Sequence, residues 1–251
     1  MTEKDAEKIK LMKEGGKILA GALLAVSEEI KPGAVLKNLD KLAFDFIKKS
    51  GAEPAFLNYR PAGAKTPYPA SLCSSVNEIV VHGAPNDYAL KEGDIISIDL
   101  GVKFKGFITD AARTFPVGKI SSEAAHLLKA TREALASALK SAFPGKTIGD
   151  IGYAVEQVAE KNKVFVVKML TGHGVGKRLH EEPTVYNYGN PGQGMKLFSG
   201  LTIAIEPMFS LGSENIFQLD DDSYQTSDGS LAAHFEDTIA ITDNGPLILT
   251  A

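Results

Sequence analysis

The chain has 251 residues, 44% of them hydrophobic and 23% charged, enough apolar material for one large domain or two closely packed halves. A net charge of −4 and a pI near 5.8 exclude a bulk basic surface for nucleic acid. The single cysteine, Cys73, excludes an internal disulfide, and with no apolar leader core and no run near the roughly 18 to 20 apolar residues of a membrane span, a cytoplasmic protein is expected.

From Glu3 to Glu29, the residues Ile9, Met12, Ile18, Leu19, Leu23 and Val26 recur at helical spacing until Lys31-Pro32-Gly33, with Gly15-Gly16 as an expected weak point. A second helix is predicted over Leu36 to Lys49. Pro54 to Pro69 reads as a long irregular loop carrying Tyr59 and Tyr68. Strands over Ser71 to Val76 and Glu78 to Val81 then lead to a turn at His82-Gly83-Ala84-Pro85. Two apolar, β-branched arms follow, Ile95 to Val102 and Phe107 to Phe115, and Lys103 to Gly106 closes them into a hairpin.

Centring that turn between Phe104 and Lys105 sets Asp99 directly opposite Asp110. Like charges opposed across strands are destabilising, and burial adds to the cost. No Lys or Arg is read within the strand interiors, so a metal ion is the economical counter-charge.

Ser122 to Ala142 and Ile148 to Lys161 read as a long and a shorter helix around Pro144-Gly145. The same order surrounds Pro32-Gly33, 112 residues earlier. The echo continues in Gly93 before Asp99 and Gly200 before Glu206, and in His82-Gly83 and His173-Gly174. These matches predict two related α/β halves, about 3–118 and 119–251, in a single catalytic domain with a central site. Strands are expected over Leu201 to Met208 and His234 to Thr242, with a polar hairpin or surface loop from Ile216 to Ser230.

Asp99, Asp110, Glu206 and Glu236 are acids in apolar strand contexts, and His173 is flanked by glycines. Singly, each acid reads more simply as a residue on a solvated face; together they point to a buried cluster. Mixed carboxylate and imidazole ligation suits Mn, Fe, Co or Zn, and four carboxylates call for two divalent ions. A water bridging two such ions is a nucleophile at neutral pH, so the chemistry expected is hydrolysis. His82 and His180 stand in Gly/Pro-flanked loops, where imidazoles bind or transfer protons. His126 reads as structural or surface, Cys73 as a small strand residue or part of a pocket, and His234 as either a sheet-face residue or an outer partner of the ligands. The Gly172 to Gly176 run lacks the ending of a phosphate cradle.

The motifs Val-Asn-Glu-Ile-Val-Val-His82-Gly, Ile-Asp99-Leu-Gly, Thr-Asp110-Ala, Gly-His173-Gly-Val-Gly-Lys-Arg-Leu-His180-Glu-Glu-Pro, Ile-Glu206-Pro-Met and His-Phe-Glu236-Asp-Thr span nearly the whole chain. In combination they resemble the type I methionine aminopeptidases. The resemblance implies an α+β pita-bread fold: two pseudo-symmetric α/β halves with a curved, mainly antiparallel sheet, covered by helices around a dinuclear metal site. It implies Asp99, Asp110, His173, Glu206 and Glu236 as ligands, with Asp110 and Glu236 bridging. It also implies Glu206 acting on the water proton, His82 and His180 contacting the substrate, and Tyr59, Tyr68 and Cys73 lining the methionine pocket.

The implied partners are N-termini of nascent polypeptides at the ribosome, with no nucleic acid or membrane, and the protein is expected as a monomer. Departures from the family pattern are Asp237 where many relatives carry His, Leu179 before His180, the absence of Trp, and a longer loop from Tyr59 to Tyr68. Two other readings compete: an Xaa-Pro peptidase of the same fold, and a catalytically dead relative acting as a binding module. The first usually carries a large N-terminal domain, and the second typically loses ligands.

Overall fold

Thr2 opens helix α1 (Glu3–Glu28): its hydroxyl accepts from the Asp5 amide while the Asp5 carboxylate accepts from the Thr2 amide, a capping box that satisfies the first turn. Gly15-Gly16 is not the weak point that the sequence suggests. A Cβ on Gly16 would stand 1.9 Å from the Leu249 carbonyl oxygen, and one on Gly15 3.2 Å from Phe104 Cβ. Both glycines therefore let neighbouring chain approach the helix axis closely. Helix α2 (Leu36–Lys49) packs on α1 with the bounds expected from its pattern.

The computed structural model describes residues 1–60 and 66–251. Part of the Tyr59 to Tyr68 loop, residues 61–65, thus lies outside the described residues. After α2 come β1 (Glu53–Pro54), β2 (Leu72–Val76), β3 (Ile79–Val81), and the hairpin β4 (Ile95–Phe104) and β5 (Phe107–Pro116). Leu19, Val26, Leu39 and Ile47 of the helices meet Ile96, Ile98 and Leu100 of β4 in one buried cluster.

The hairpin register differs from the sequence reading. Phe104 pairs with Phe107, so Lys105-Gly106 alone form the turn, and Asp99 faces Ala112 while Asp110 faces Gly101. Both turn residues have positive φ, 47° and 86°, the backbone that matches the twist of a two-residue hairpin. The turn centre therefore lies one residue later than expected. Asp99 and Asp110 are offset by two residues, which keeps them on one face as diagonal neighbours.

Ser121, one residue earlier than read, caps α3 (Ser122–Ser141), and Thr147 and Asp150 form a capping box for α4 (Ile148–Asn162). These helices cover a second core containing Leu127, Ile151, Val155, Ile203, Phe209 and Phe235. The strands beneath are β6 (Phe165–Val166), β7 (Gly172–Gly174), β8 (Glu181–Val185), β9 (Thr202–Ile205), β10 (Met208–Ser210), β11 (Ile216–Gln218), β12 (Tyr224–Thr226), β13 (Ala232–His234), β14 (Asp237–Thr242) and β15 (Gly245–Ile248). They form sheets ordered β15-β14-β9-β7-β8, β13-β10-β6 and β11-β12-β3, and all the described strand pairings are antiparallel. Among the described residues, no helix is long and apolar enough to cross a membrane.

Two strands read as continuous are each broken. The run Leu201 to Met208 divides at Glu206-Pro207 into β9 and β10, and the run His234 to Thr242 divides at Phe235-Glu236 into β13 and β14. Pro207 has no amide to donate, so the ladder cannot continue through it. At the two breaks the chain passes between the five-stranded and a three-stranded sheet. The hairpin is fastened against this junction by two buried threonines. Thr238 Oγ1 accepts from the Asp110 amide and donates to the Asp110 carbonyl, each at 2.8 Å. Thr114 Oγ1 does the same for His234, at 2.9 and 2.8 Å.

Candidate metal centre

Every site residue expected from the sequence lines one cavity of about 750 Å³. Asp99 comes from β4, Asp110 from β5 and His173 from β7. Glu206 and Glu236 occupy the two strand breaks, where the backbone leaves its ladder and an acid can turn inward. Asn187 Nδ2 donates to the Glu206 carbonyl at 2.9 Å, and the Glu236 amide donates to the Ala112 carbonyl at 2.9 Å. Long-range hydrogen bonds thus hold the backbone at both breaks.

The electrostatics of the cluster demand a cation. Asp110, Glu206 and Glu236 are buried, and Asp99 keeps partial exposure at the cavity wall. Asp99 Oδ1, Asp110 Oδ1 and Glu236 Oε1 are buried with no hydrogen-bond partner, an arrangement costly for carboxylates unless a positive group stands among them. Burial raises the pKa of all four acids, Asp110 to about 7, and the neighbouring carboxylates push Asp99, Glu206 and Glu236 further up. His173 Nδ1 donates to the Gly174 carbonyl at 2.9 Å. Its Nε2 lone pair is therefore directed at Glu206 Oε1, 3.5 Å away, and Asp110 Oδ2, 3.9 Å away. A lone pair facing two carboxylates is repulsive by itself and is the usual arrangement of a metal-ligating histidine.

The donor set fits divalent ions. One ligand atom from each of Asp110, His173 and Glu236 lies within 4.8 Å of the others, and so does one from each of Glu206, His234 and Glu236. Glu236 is common to both groups, so the acids of the hairpin and of the two strand breaks converge on one place.

Around the acids stand neutral imidazoles and an apolar wall. Burial holds His82 and His173 down to about 4. His82 has φ of 64°, a strained conformation for a non-glycine residue, and hydrogen-bonds the Asp222 backbone. His180 Nδ1 is 2.8 Å from the Tyr59 hydroxyl, and its ring meets His173 edge to face with centroids 4.4 Å apart. Phe56, Tyr59, Tyr68, Cys73 and Leu179 belong to one apolar cluster at the cavity side. Tyr68 bonds the Leu72 and Gly83 carbonyls, each at 3.0 Å.

Some functional positions were not legible from pattern alone. Asp222 and Arg178 line the cavity; Asp222 lies in the polar stretch expected as a hairpin or surface loop, and Arg178 lies in the His173 to His180 motif without having been singled out. Arg113 sits within β5, contrary to the reading that no cation lies in the strands. It is an odd number of residues from Asp110, hence on the opposite face, where it donates to the Glu236 carbonyl and pairs with Asp237 at 2.6 Å. Asp237 is thereby held away from the cavity, and Thr250 also donates to it.

The family model for the metallopeptidase family M24 matches residues 10–243. This chain belongs to metallopeptidase family M24. The M24 chain is 45% identical over 248 residues to a methionine aminopeptidase of Clostridium perfringens, covering 98% of this chain and 97% of that one. It also resembles the crystal structure of methionine aminopeptidase from Rickettsia prowazekii, with a TM-score of 0.93 and 38% identity over 100% of this chain and 98% of that one. Prolidase from Pyrococcus furiosus shares the fold at a TM-score of 0.77, with 24% identity over 98% of this chain and 64% of that one. The M24 chain therefore has the α+β pita-bread fold expected from its motifs.

Proposed function

We infer that this M24 chain is a methionine aminopeptidase, a metal-dependent hydrolase that removes the N-terminal methionine from new polypeptides whose second residue is small. The observation that carries the reading is the placement of an acid and imidazole cluster beside an apolar wall in one cavity. Asp99, Asp110, His173, Glu206 and Glu236 would hold two divalent ions, Asp110 and Glu236 serving both. Bound there, ions chosen from Mn, Fe, Co and Zn supply Lewis acidity and a water nucleophile at neutral pH. Four carboxylates against two divalent charges leave the cluster close to neutral, which removes the penalty of burying it.

The chain's own groups do the rest. Glu206, ionised once cations neutralise the cluster, takes a proton from the attacking water and returns it to the leaving amine. His82 and His180, kept neutral, donate N–H groups to the scissile carbonyl oxygen as it gains negative charge. Tyr59, Tyr68 and Cys73 receive the methionine side chain. In this reading the whole chain is one catalytic domain, with Asp99 and Asp110 from the first half and the other three ligands from the second. The substrates are nascent chains met at the ribosome, in the cytoplasm.

The test uses metal-stripped protein refilled with Mn, Fe or Co and offered Met-Ala-Ser, Met-Lys-Ser and Ala-Pro-Ser. Methionine release from the first peptide alone is expected. Cleavage of the proline peptide only, or no cleavage with any metal, would overturn the assignment.

A further inference from the structure

His234 ends β13 two residues before Glu236, is 1% exposed, and is not among the cavity-lining residues. Its Nε2 lies 3.5 Å from Glu206 Oε2 and 3.9 Å from Glu236 Oε2, while neither ring nitrogen has a hydrogen-bond partner. The Glu206 carboxylate is thus flanked by two imidazoles, with Oε1 3.5 Å from His173 Nε2 and Oε2 3.5 Å from His234 Nε2.

The two imidazoles play different parts. The Gly174 carbonyl engages His173 Nδ1 and leaves Nε2 as a lone pair. Neither His234 nitrogen makes a hydrogen bond, but Nε2 is the one that faces carboxylate oxygens of both Glu206 and Glu236, 3.5 and 3.9 Å away. A proton on Nδ1 would be an orphaned buried donor, whereas a proton on Nε2 points at two acids. Proximity to the carboxylates therefore assigns the proton to Nε2. The backbone of His234 cannot drift, because Thr114 Oγ1 holds both its amide and its carbonyl and Met208 pairs with it across the sheet.

We propose that His234 is a positioning residue of the metal centre, its Nε2–H directed at the rear oxygen of Glu206 and at Glu236 so that Glu206 Oε1 stays turned toward His173. This rests on the reading of the five cavity residues as ligands. Groups that orient ligating carboxylates typically set metal affinity by 10- to 100-fold, and here one imidazole serves the two acids that share the site.

The test is calorimetric titration of metal-stripped wild type, His234→Gln and His234→Leu with Mn(II) and Co(II), together with the visible spectrum of the Co(II) forms. The Gln amide reaches the Nε2 position with an N–H donor; Leu carries none. His234→Leu is expected to bind about 10- to 100-fold more weakly, and His234→Gln within about threefold of wild type with an unchanged cobalt spectrum. Wild-type affinity in His234→Leu would overturn the proposal, and so would an altered spectrum in His234→Gln, which would make the imidazole itself a ligand. Circular dichroism of the metal-free forms reports folding. Should the Leu variant not fold, His234→Asn replaces it, since its shorter amide cannot reach Glu206; Asn binding as tightly as Gln would again overturn the proposal. Failure of the wild type itself to take up metal overturns the metal centre and this inference with it, an outcome distinct from tight binding by every variant.

Discussion

Replacing Asp110 by Asn should stabilise the metal-free protein and abolish its response to metal. The perturbation removes one charge from a cluster of four acids while keeping the side-chain shape. Burial raises the Asp110 pKa from 3.8 to about 7, so between those limits the folded state holds a proton that the unfolded state releases. A raised carboxyl pKa means that stability is highest when the group is protonated and falls as pH rises through this window. Integrating the linkage relation, the penalty is about 2 kcal/mol at pH 5 and about 4 kcal/mol at pH 7, relative to a neutral isostere.

The histidines oppose this trend. His82 and His173 are lowered to about 4 and His234 to about 3, all by burial first. Their contribution is present above the ordinary histidine pKa and is lost as pH falls, so the raw pH profile of the parent mixes both signs. The difference between Asp110→Asn and parent cancels the histidine contribution and reads the acids: Asp110 itself, and in the same direction Asp99, Glu206 and Glu236, whose carboxyls its charge pushes up. Measured by urea unfolding in chelator, that difference should grow from about 2 to about 4 kcal/mol between pH 5 and pH 7. Adding Mn or Co should then stabilise the parent but not the variant, which should also lack turnover. A metal-free variant no more stable than its parent at pH 7, or a difference that shrinks as pH rises, would refute the electrostatic account of the cluster.

Two further substitutions test how the site is held. Thr238→Val is nearly isosteric but leaves the Asp110 amide and carbonyl without the hydroxyl that serves both; a loss of about 2 to 5 kcal/mol is expected in urea unfolding, mostly restored by Thr238→Ser, and a valine variant as stable as the parent would show that the clamp contributes nothing. Tyr59→Phe removes the hydroxyl that bonds His180 Nδ1 and leaves Nε2–H toward the cavity. Its kcat/KM should fall by roughly tenfold, the worth of about one hydrogen bond, with metal affinity unchanged, and altered metal binding would contradict the assignment of the Tyr59 hydroxyl to His180.

What the chain made legible, and what it hid, follow from the range of each interaction. Acids recurring in otherwise apolar strands are a local signal, and all five expected ligands line one cavity. The register of the hairpin was not local in the same way. Lys105 adopts a left-handed backbone normally signalled by Asn or Gly, so nothing marked the turn centre, and the pairing was misread by two. The error was harmless to the site because strand side chains alternate with period two: a shift of two keeps Asp99 and Asp110 on one face, where a shift of one would have separated them. The same parity places Arg113 on the far side from Asp110 without any knowledge of its partner.

The strand breaks were half visible. Pro207 marks the first, although the strand was expected to run through it, while His234 to Thr242 holds no proline or glycine and gave no warning of the second. That break decides the roles of His234 and Glu236. In an unbroken strand, residues two apart would share one face and enter the cavity together. Because β13 and β14 belong to different sheets, the chain turns between them: Glu236 enters the cavity and His234 remains behind it, close enough to reach the same carboxylates. A histidine at that spacing reads as a ligand or as a support, and its place behind the cavity wall, with Nε2 3.5 Å from Glu206 Oε2 and 3.9 Å from Glu236 Oε2, favours the support.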